Sequence, residues 1–405
     1  VASFVVQEGD TLIDLSNEVF ISPQAWREIA RLNKLPDADL IRPGQQLRVP
    51  LRLLRGNAVD GQLLSSVGEV KLDGAAVAAG SAVRPGQRLS TAANASAVLR
   101  LADGSRLRVL PNSEIELAQS IDYAKRADQP QGLFAGLMRL VRGSLEVVAA
   151  KVLRAKPLEV ESPTAVIGVR GTEFRVRQES VSGLRAEVLE GIVGATPARR
   201  DSGVAVAAGN GTAIVDPRVP PFVAKLLPAL DLGAMPQVFE RPILRFTPPA
   251  NGNAVRVQVA SDEQFDAVVR DELFAPNSQV RIAGLDDGRW WLRVRAVDRD
   301  GIEGLDAKRA VRLEARPEPP APTRPRADGK AGAGALRLAW LENTTAAAYR
   351  VQVAKDAAFT QPVFEAERVQ GDGVAVPLEE AGDYHWRVAS IAADASAERP
   401  QGPWS

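Results

Sequence analysis

Val5-Val-Gln-Glu-Gly-Asp-Thr-Leu12 opens the most informative stretch of the chain, and Leu40-Ile-Arg-Pro-Gly-Gln-Gln-Leu-Arg-Val-Pro50 closes it. Ser3–Gln7 reads as a short strand, broken by Gly9. Asp10 or Thr11 can cap a helix, and Thr11-x-x-Asp14 has capping-box spacing. Leu12, Leu15 and Val19 then form an apolar stripe at helical spacing. Ser22-Pro23 sets a cap residue before a proline at a first helical position, which predicts a second helix through Trp26, Ile29, Ala30 and Leu32, ended by Asn33. Pro43-Gly44 makes a turn, and Gln46–Pro50 is the return strand. The predicted order is strand, helix, helix, strand.

This order, together with the opening run, Trp26, the Ile29-Ala-Arg-Leu-Asn33 run and the closing run, resembles a LysM domain over residues 1–50. The resemblance implies binding of N-acetylglucosamine glycans, peptidoglycan in bacteria, in a shallow groove between two loops. Those loops map to Gly9, Asp10, Thr11 and Leu12 on one side and Asp39, Leu40 and Ile41 on the other. Backbone amides and carbonyls there can address acetamido groups, while Leu12, Leu40 and Ile41 can pack on sugar faces. Capping alone also accounts for Asp10 and Thr11, and core packing for Leu12, Ile41 and Trp26. A single module of this size binds weakly, at about 4–8 kcal/mol.

Residues 60–215 are strand after strand, broken by Gly and Asp-Gly turns. Ala97–Val109 is a hairpin: Asp103-Gly104 supplies the positive-φ turn, and Leu99, Leu101, Leu107 and Val109 form its apolar face. Further strands are expected at Ile115–Leu117, Leu140–Val148, Leu158–Val160, Thr172–Val176, Leu184–Leu189 and Val204–Val206. With no helices between them, they imply an antiparallel sandwich, a jelly roll or a β-helix-like stack. The phrases Gly86–Thr91, Ala97–Ser105, Leu140–Ser144, Glu161–Ala165, Gly168–Val176, Glu190–Val193 and Ala207–Asn210 resemble the periplasmic domain of the FecR family. That family contains envelope regulators that signal inward through a membrane helix to a sigma-factor-binding segment, and this chain shows neither part. Arg170-Gly171-Thr172 could anchor a partner carboxylate through Arg170, or simply be a tight strand connection. Arg100, Arg106 and Arg108 read as solvated outward positions of the hairpin.

Residues 240–315 and 334–405 are two copies of one module. Arg256-Val-Gln-Val-Ala260 recurs as Arg350-Val-Gln-Val-Ala354, followed in each case by Asp (Asp262, Asp356) and Phe (Phe265, Phe359). Trp290–Ala296 answers Tyr384–Ala389, so the offset is roughly 94–95 residues, which means tandem domains and not a solenoid. Alternating strands and a buried Trp predict β-sandwiches. Both copies, with the closing Gly402-Pro-Trp-Ser405, resemble fibronectin type III domains. Pro-rich connectors at 216–239 and 316–333 separate the blocks, and Phe222–Leu227 within the first could form a short packed helix.

The 405 residues balance 50 Lys+Arg against 50 Asp+Glu. That neutrality argues against a nucleic-acid binder. With 0 Cys and 1 His, no cysteine-based zinc site, thiol nucleophile or Ser-His triad can be assembled unless His385 serves. His385 stands beside Trp386 in a strand, and Asp286-Asp287-Gly288 and Asp298-Arg-Asp300-Gly301 fall at expected hairpin turns, without calcium-loop spacing. No reaction centre, metal site or cofactor is expected. No apolar run approaches the roughly 18 residues that span a bilayer. A start at Val1 reads as a processed product, with no signal segment in this chain.

The expected fold class is therefore mainly β and multidomain: a small βααβ module, a many-stranded β domain (sandwich or β-helix-like), then two β-sandwiches. The expected function is a non-enzymatic, exported protein of the bacterial envelope or periplasm. It docks on peptidoglycan or another N-acetylglucosamine glycan and presents its β domains to an envelope protein. An envelope sensor in a regulatory pathway is the alternative, and a carboxylate-based cell-wall hydrolase the remote one.

Overall fold

A computed structural model describes residues 2–123, 133–152, 156–169, 171–179, 183–249, 251–330, 334–344, 346–393 and 400–405. The chain is mainly β, with two short α-helices near its start. It groups into two compact units. One contains 1–231, 249–276 and 292–308; the other contains 232–248, 277–291 and 309–405.

The first module follows the predicted order: β1 (Ala2–Val5), α1 (Leu12–Glu18), α2 (Ala25–Leu32) and β2 (Gln46–Val49). β1 and β2 pair antiparallel, Val5 opposite Gln46. Phe4, Leu12, Leu15, Val19, Ile29, Leu47 and Val49 fill the core, since helical and strand periodicity turn these positions to one side. Asn33 ends α2 by clipping it to the sheet: its amide donates to Ile29 O and Arg48 O, and its Oδ1 accepts Arg48 N–H at 2.7 Å. Ser22 does not cap α2. The helix begins at Ala25, and Ser22 Oγ accepts Gln24 N–H in the turn before it.

Residues 56–225 form a sandwich of two sheets. One sheet runs Val70–Leu72, Arg88–Thr91, Glu114–Tyr123, Leu133–Val148, Leu158–Glu161, Ala165–Val169, Ile192–Pro197 and Val204–Ala207. The other runs Gly61–Val67, Ser96–Arg100, Arg106–Val109, again Leu133–Val148, then Glu173–Glu179, Gly183–Glu190, Asn210–Ile214 and Phe222–Lys225. The 16-residue strand Leu133–Val148 belongs to both. Up to Arg142 it pairs with Glu114–Tyr123, and from Gly143 on with Glu173–Glu179. Gly143 makes the switch with φ +87°, and any Cβ there would lie 2.3 Å from Ser113 Oγ. Ser113 fastens the corner by accepting Ser144 N–H at 2.8 Å and donating to Ser144 O. Leu99, Leu107, Leu145, Phe174 and Val188 of one sheet meet Leu89, Ile115, Met138, Ile167 and Val193 of the other in a single core.

The connector at 216–239 holds a strand where the sequence allowed a short helix. Phe222–Lys225 pairs with Asn210–Ile214, at the edge of the second sheet. Pro220-Pro221 favour extended backbone just before it, and the open edge supplies the hydrogen bonds. Part of the later connector, Pro322–Arg324, is likewise a strand, paired with Gly334–Trp340.

The LysM-like module is not on a loose tether. Tyr123 and Leu133, at the end of the long hairpin, pack against its core beside Trp26 and Leu51. Arg55 N–H donates to Val19 O at 2.9 Å and Arg55 Nε to Phe20 O at 2.6 Å. Gly56–Ala58 then pairs directly with Ile121–Tyr123.

Candidate functional site

The two loops singled out above leave the same rung of the small sheet. Val6 N–H donates to Gln45 O at 2.9 Å and Gly44 N–H to Val6 O at 2.7 Å, which ties their roots together. The first loop is a tight turn: Gln7 N–H donates to Asp10 Oδ2 at 2.7 Å, and Gly9 adopts φ +86°. Asp10 thus shapes the loop. Thr11 is the N-cap of α1, accepting Asp14 N–H at 3.0 Å and donating to Asp14 Oδ2 at 2.6 Å. Thr11→Ala should cost about 1 kcal/mol, lowering the melting temperature by roughly 2–4 °C; a differential scan checks it. In the second loop Asp39 N–H donates to Asp37 Oδ1 at 2.9 Å, and Asp39 and Leu40 are exposed while Ile41 is half-buried.

Leu12 needs correcting. The whole residue is 1% exposed and belongs to the core, so Leu12 supports the loop from beneath and offers a ligand almost no surface. The apolar side chains turned outward here are Leu40, 68% exposed, and Ile13, 49% exposed. Ile13 was missed by the sequence reading, although its signal was present. With 12, 15 and 19 inward on a helix, position 13 must point away.

The second feature has no counterpart in the sequence reading. The outer face of the second sheet carries Glu146, Arg175, Arg177 and Glu187, the polar alternates of strands whose other residues fill the core. It is covered by Ala254–Ala260, Val268–Phe274 and residues 292–308, bearing Arg256, Asp271, Arg293, Arg295, Glu303 and Asp306. Arg293 and Arg295 reach Glu146 Oε1 at 2.6 and 2.9 Å. Arg295 also holds Glu303 at 2.8 Å and Asp306 at 2.5 Å. Arg175 reaches Asp306 at 3.0 Å and donates to Glu303 O and Gly304 O. Arg177 and Arg256 both pair with Glu303, and Arg256 also with Asp271 at 3.0 Å. Arg106 and Arg108, expected to be solvated, both grip Asp266, at 2.5 and 2.7 Å. Strand alternation turned them outward as predicted, but the outside is occupied.

Five arginines and five carboxylates therefore lie enclosed. Burial alone would raise the Glu146 carboxyl, but Arg293 and Arg295 reverse this and hold it at about 2. Burial acts the same way on Glu303, and Arg177, Arg256 and Arg295 carry it well below the ordinary range. Asp306 is lowered by Arg295 and Arg293 against its burial. Glu187 goes the other way. Burial, aided by Glu303, raises it to about 7 despite Arg175 at 3.7 Å. Displaced carboxyl groups in an open cleft would point to acid–base chemistry. Here each one faces guanidinium groups in a packed interior, so the arrangement is structural.

Arg170 lies outside the described residues. Gly171 has φ +61°, consistent with a tight connection. Asp298 Oδ1 accepts Asp300 N–H and Ile302 N–H, the work of a turn. His385 is exposed, in the strand His385–Ala392. Among the described residues no group of three or more His, Cys, Asp or Glu side chains could hold a metal ion. No described helix is long and apolar enough to cross a membrane.

Residues 4–50 match the family model of the LysM domain, and residues 87–194 that of FecR protein. No curated protein matches the chain. Among solved structures, a Parabacteroides distasonis protein assigned as an anti-sigma factor is similar at 13% identity and TM-score 0.27, over 34% of this chain and 59% of its own. This chain thus spans about three fifths of that one. The chicken CNTN1 FN1–FN3 domains are similar at 12% identity and TM-score 0.22, over 57% of this chain and 95% of theirs. The central fibronectin-III array of RIM-binding protein is similar at 14% identity and TM-score 0.17, over 76% and 92%.

Proposed function

We propose that this is a non-enzymatic protein of the bacterial envelope, exported to the periplasm, that docks on peptidoglycan or a similar N-acetylglucosamine glycan. Gly9, Asp10 and Thr11, packed over the buried Leu12, form one wall of the site; Asp39, Leu40 and Ile41 form the other, and Ile13 adds apolar surface. The observation that carries this reading is Leu40. A leucine 68% exposed beside a polar loop, in a module that matches LysM, is available to a sugar face. Residues 60–215 and the modules proposed at 240–315 and 334–405 are then held at the wall for contact with a protein partner.

Leu40→Asp should reduce retention of the full chain on purified peptidoglycan by about tenfold, equivalent to roughly 1.4 kcal/mol. Its melting temperature should stay unchanged, since the side chain is already in water. Undiminished retention would sink the glycan reading.

The FecR match over 87–194 favours a second reading, an envelope sensor whose β domains receive a signal from that partner. Deleting the gene should then alter transcription under envelope stress. An unchanged transcript profile would leave the scaffold alone standing.

A further inference from the structure

The two C-terminal copies carry the same side-chain device on the same strands. In the first, Arg293 Nε donates to Gln258 Oε1 at 2.7 Å and its guanidinium lies 4.4 Å over the Phe265 ring; Arg256 pairs with Asp271. In the second, Arg387 Nε donates to Gln352 Oε1 at 2.9 Å and its guanidinium lies 4.1 Å over Phe359; Arg350 bonds Glu365 at 2.8 Å. Even the strained backbone repeats, with φ +60° at Phe265 and +55° at Phe359. The copies differ in what meets the arginine. Arg293 is 5% exposed in its side chain and is answered by Glu146, projected from the outer face of a β-sheet. Arg387 is half-buried between Phe359 and Trp404, 4.4 Å away, and makes no direct ion pair among the described residues; Glu365 acts on it only at longer range. Its charged neighbour Arg350 is already engaged by Glu365.

We propose that the Arg387 face of the last copy, with Gln352, Phe359 and Trp404, docks a partner protein through a glutamate or aspartate carried on the outer face of a β-sheet. The carboxylate would take the place that Glu146 takes on Arg293. A planar guanidinium fixed by a glutamine and two rings is preorganised for bidentate contact with a carboxylate, and a cation with no carboxylate in direct contact among the described residues gains from receiving one. Trp404 and Phe359 supply the aromatic flanks typical of interface centres. This inference is independent of glycan binding.

The probe is an extended peptide of alternating valine and glutamate, compared with its valine–glutamine counterpart, titrated into the isotopically labelled full chain. The Arg387 Nε–H and Trp404 Nε1–H resonances should shift saturably with the glutamate peptide, at least about fivefold more tightly than with the glutamine peptide. The Trp404 shift should vanish in Arg387→Met and persist, weakened, in Arg387→Lys, which keeps the charge and shows that the module is folded. No saturable shift, an equal one with glutamine, or one surviving Arg387→Met would overturn the proposal. So would a concentration-dependent dimer abolished by Arg387→Met, which would assign the face to a second copy of the chain.

Discussion

Arg295→Met should lower the stability of the first unit by about 3–5 kcal/mol, the cost of removing one partner from an enclosed ion cluster. Arg295 is the pivot: its side chain is 1% exposed and reaches Glu146, Glu303 and Asp306 at once. Methionine keeps an unbranched apolar stem but lacks the guanidinium head, so the loss combines charge, hydrogen bonding and the space that head fills. Three carboxylates then share fewer counter-ions, two of them, Glu146 and Glu303, shut away from water. The melting temperature should fall by roughly 6–20 °C. Arg295→Lys should fall between, since an ammonium keeps the charge but loses the planar fork. Arg299→Met is the control: that side chain is 83% exposed, and its removal should be silent. A shift below about 1 kcal/mol for Arg295→Met would mean that the cluster is filled by water and not by arginine.

Glu187→Gln should stabilise the protein at pH 8 by about 3 kcal/mol relative to its effect at pH 4.5. The folded chain holds the Glu187 proton up to about 7, whereas the unfolded chain releases it near 4.5. Its favourable contribution is complete below 4.5 and is withdrawn as pH rises through 7. Glutamine imitates the protonated form at every pH and can still accept the Glu303 N–H that Glu187 accepts at 3.0 Å. Glu146, Glu303 and Asp306 act in the opposite sense. Their contribution is present above the ordinary carboxylate range and is lost as pH falls toward 2. Denaturant melts from pH 2 to 8 should therefore show an acid limb in both proteins and an alkaline decline in the wild type only. Parallel curves above pH 5 would show that Glu187 is ionised throughout.

Local chemistry was readable where neighbours in sequence are also neighbours in space. The stripe of Leu12, Leu15 and Val19, the cap at Thr11 and the Asp103-Gly104 hairpin each depend on contacts within a few residues. The choice between sandwich and stacked coil was not readable, because it rests on Gly143 turning one strand from sheet to sheet. In a sequence Gly143 resembles any strand glycine. In sequence the Phe222–Leu227 run leaves a short helix open because its apolar residues allow one, while the free sheet edge that claims Phe222–Lys225 appears only after folding. Arg106 and Arg108 were placed on the correct face and given the wrong surroundings. Alternation fixes which side of a sheet a residue occupies, not whether water or another strand lies there. The device of Arg256, Gln258 and Arg293 was visible as a repeat, yet Glu146, the carboxylate that answers Arg293, stands 147 residues away.

The separation of 147 residues between Glu146 and Arg293 has a kinetic meaning. A chain emerging from its amino end completes the sandwich long before residue 293 is available, and closing so wide a loop is slow. During that interval the sheet's outer surface is exposed. Because it is built from hydrated arginine and glutamate and not from leucine, it stays reluctant to stick to other nascent chains. The face that is later sealed is thus one that keeps well in water while it waits.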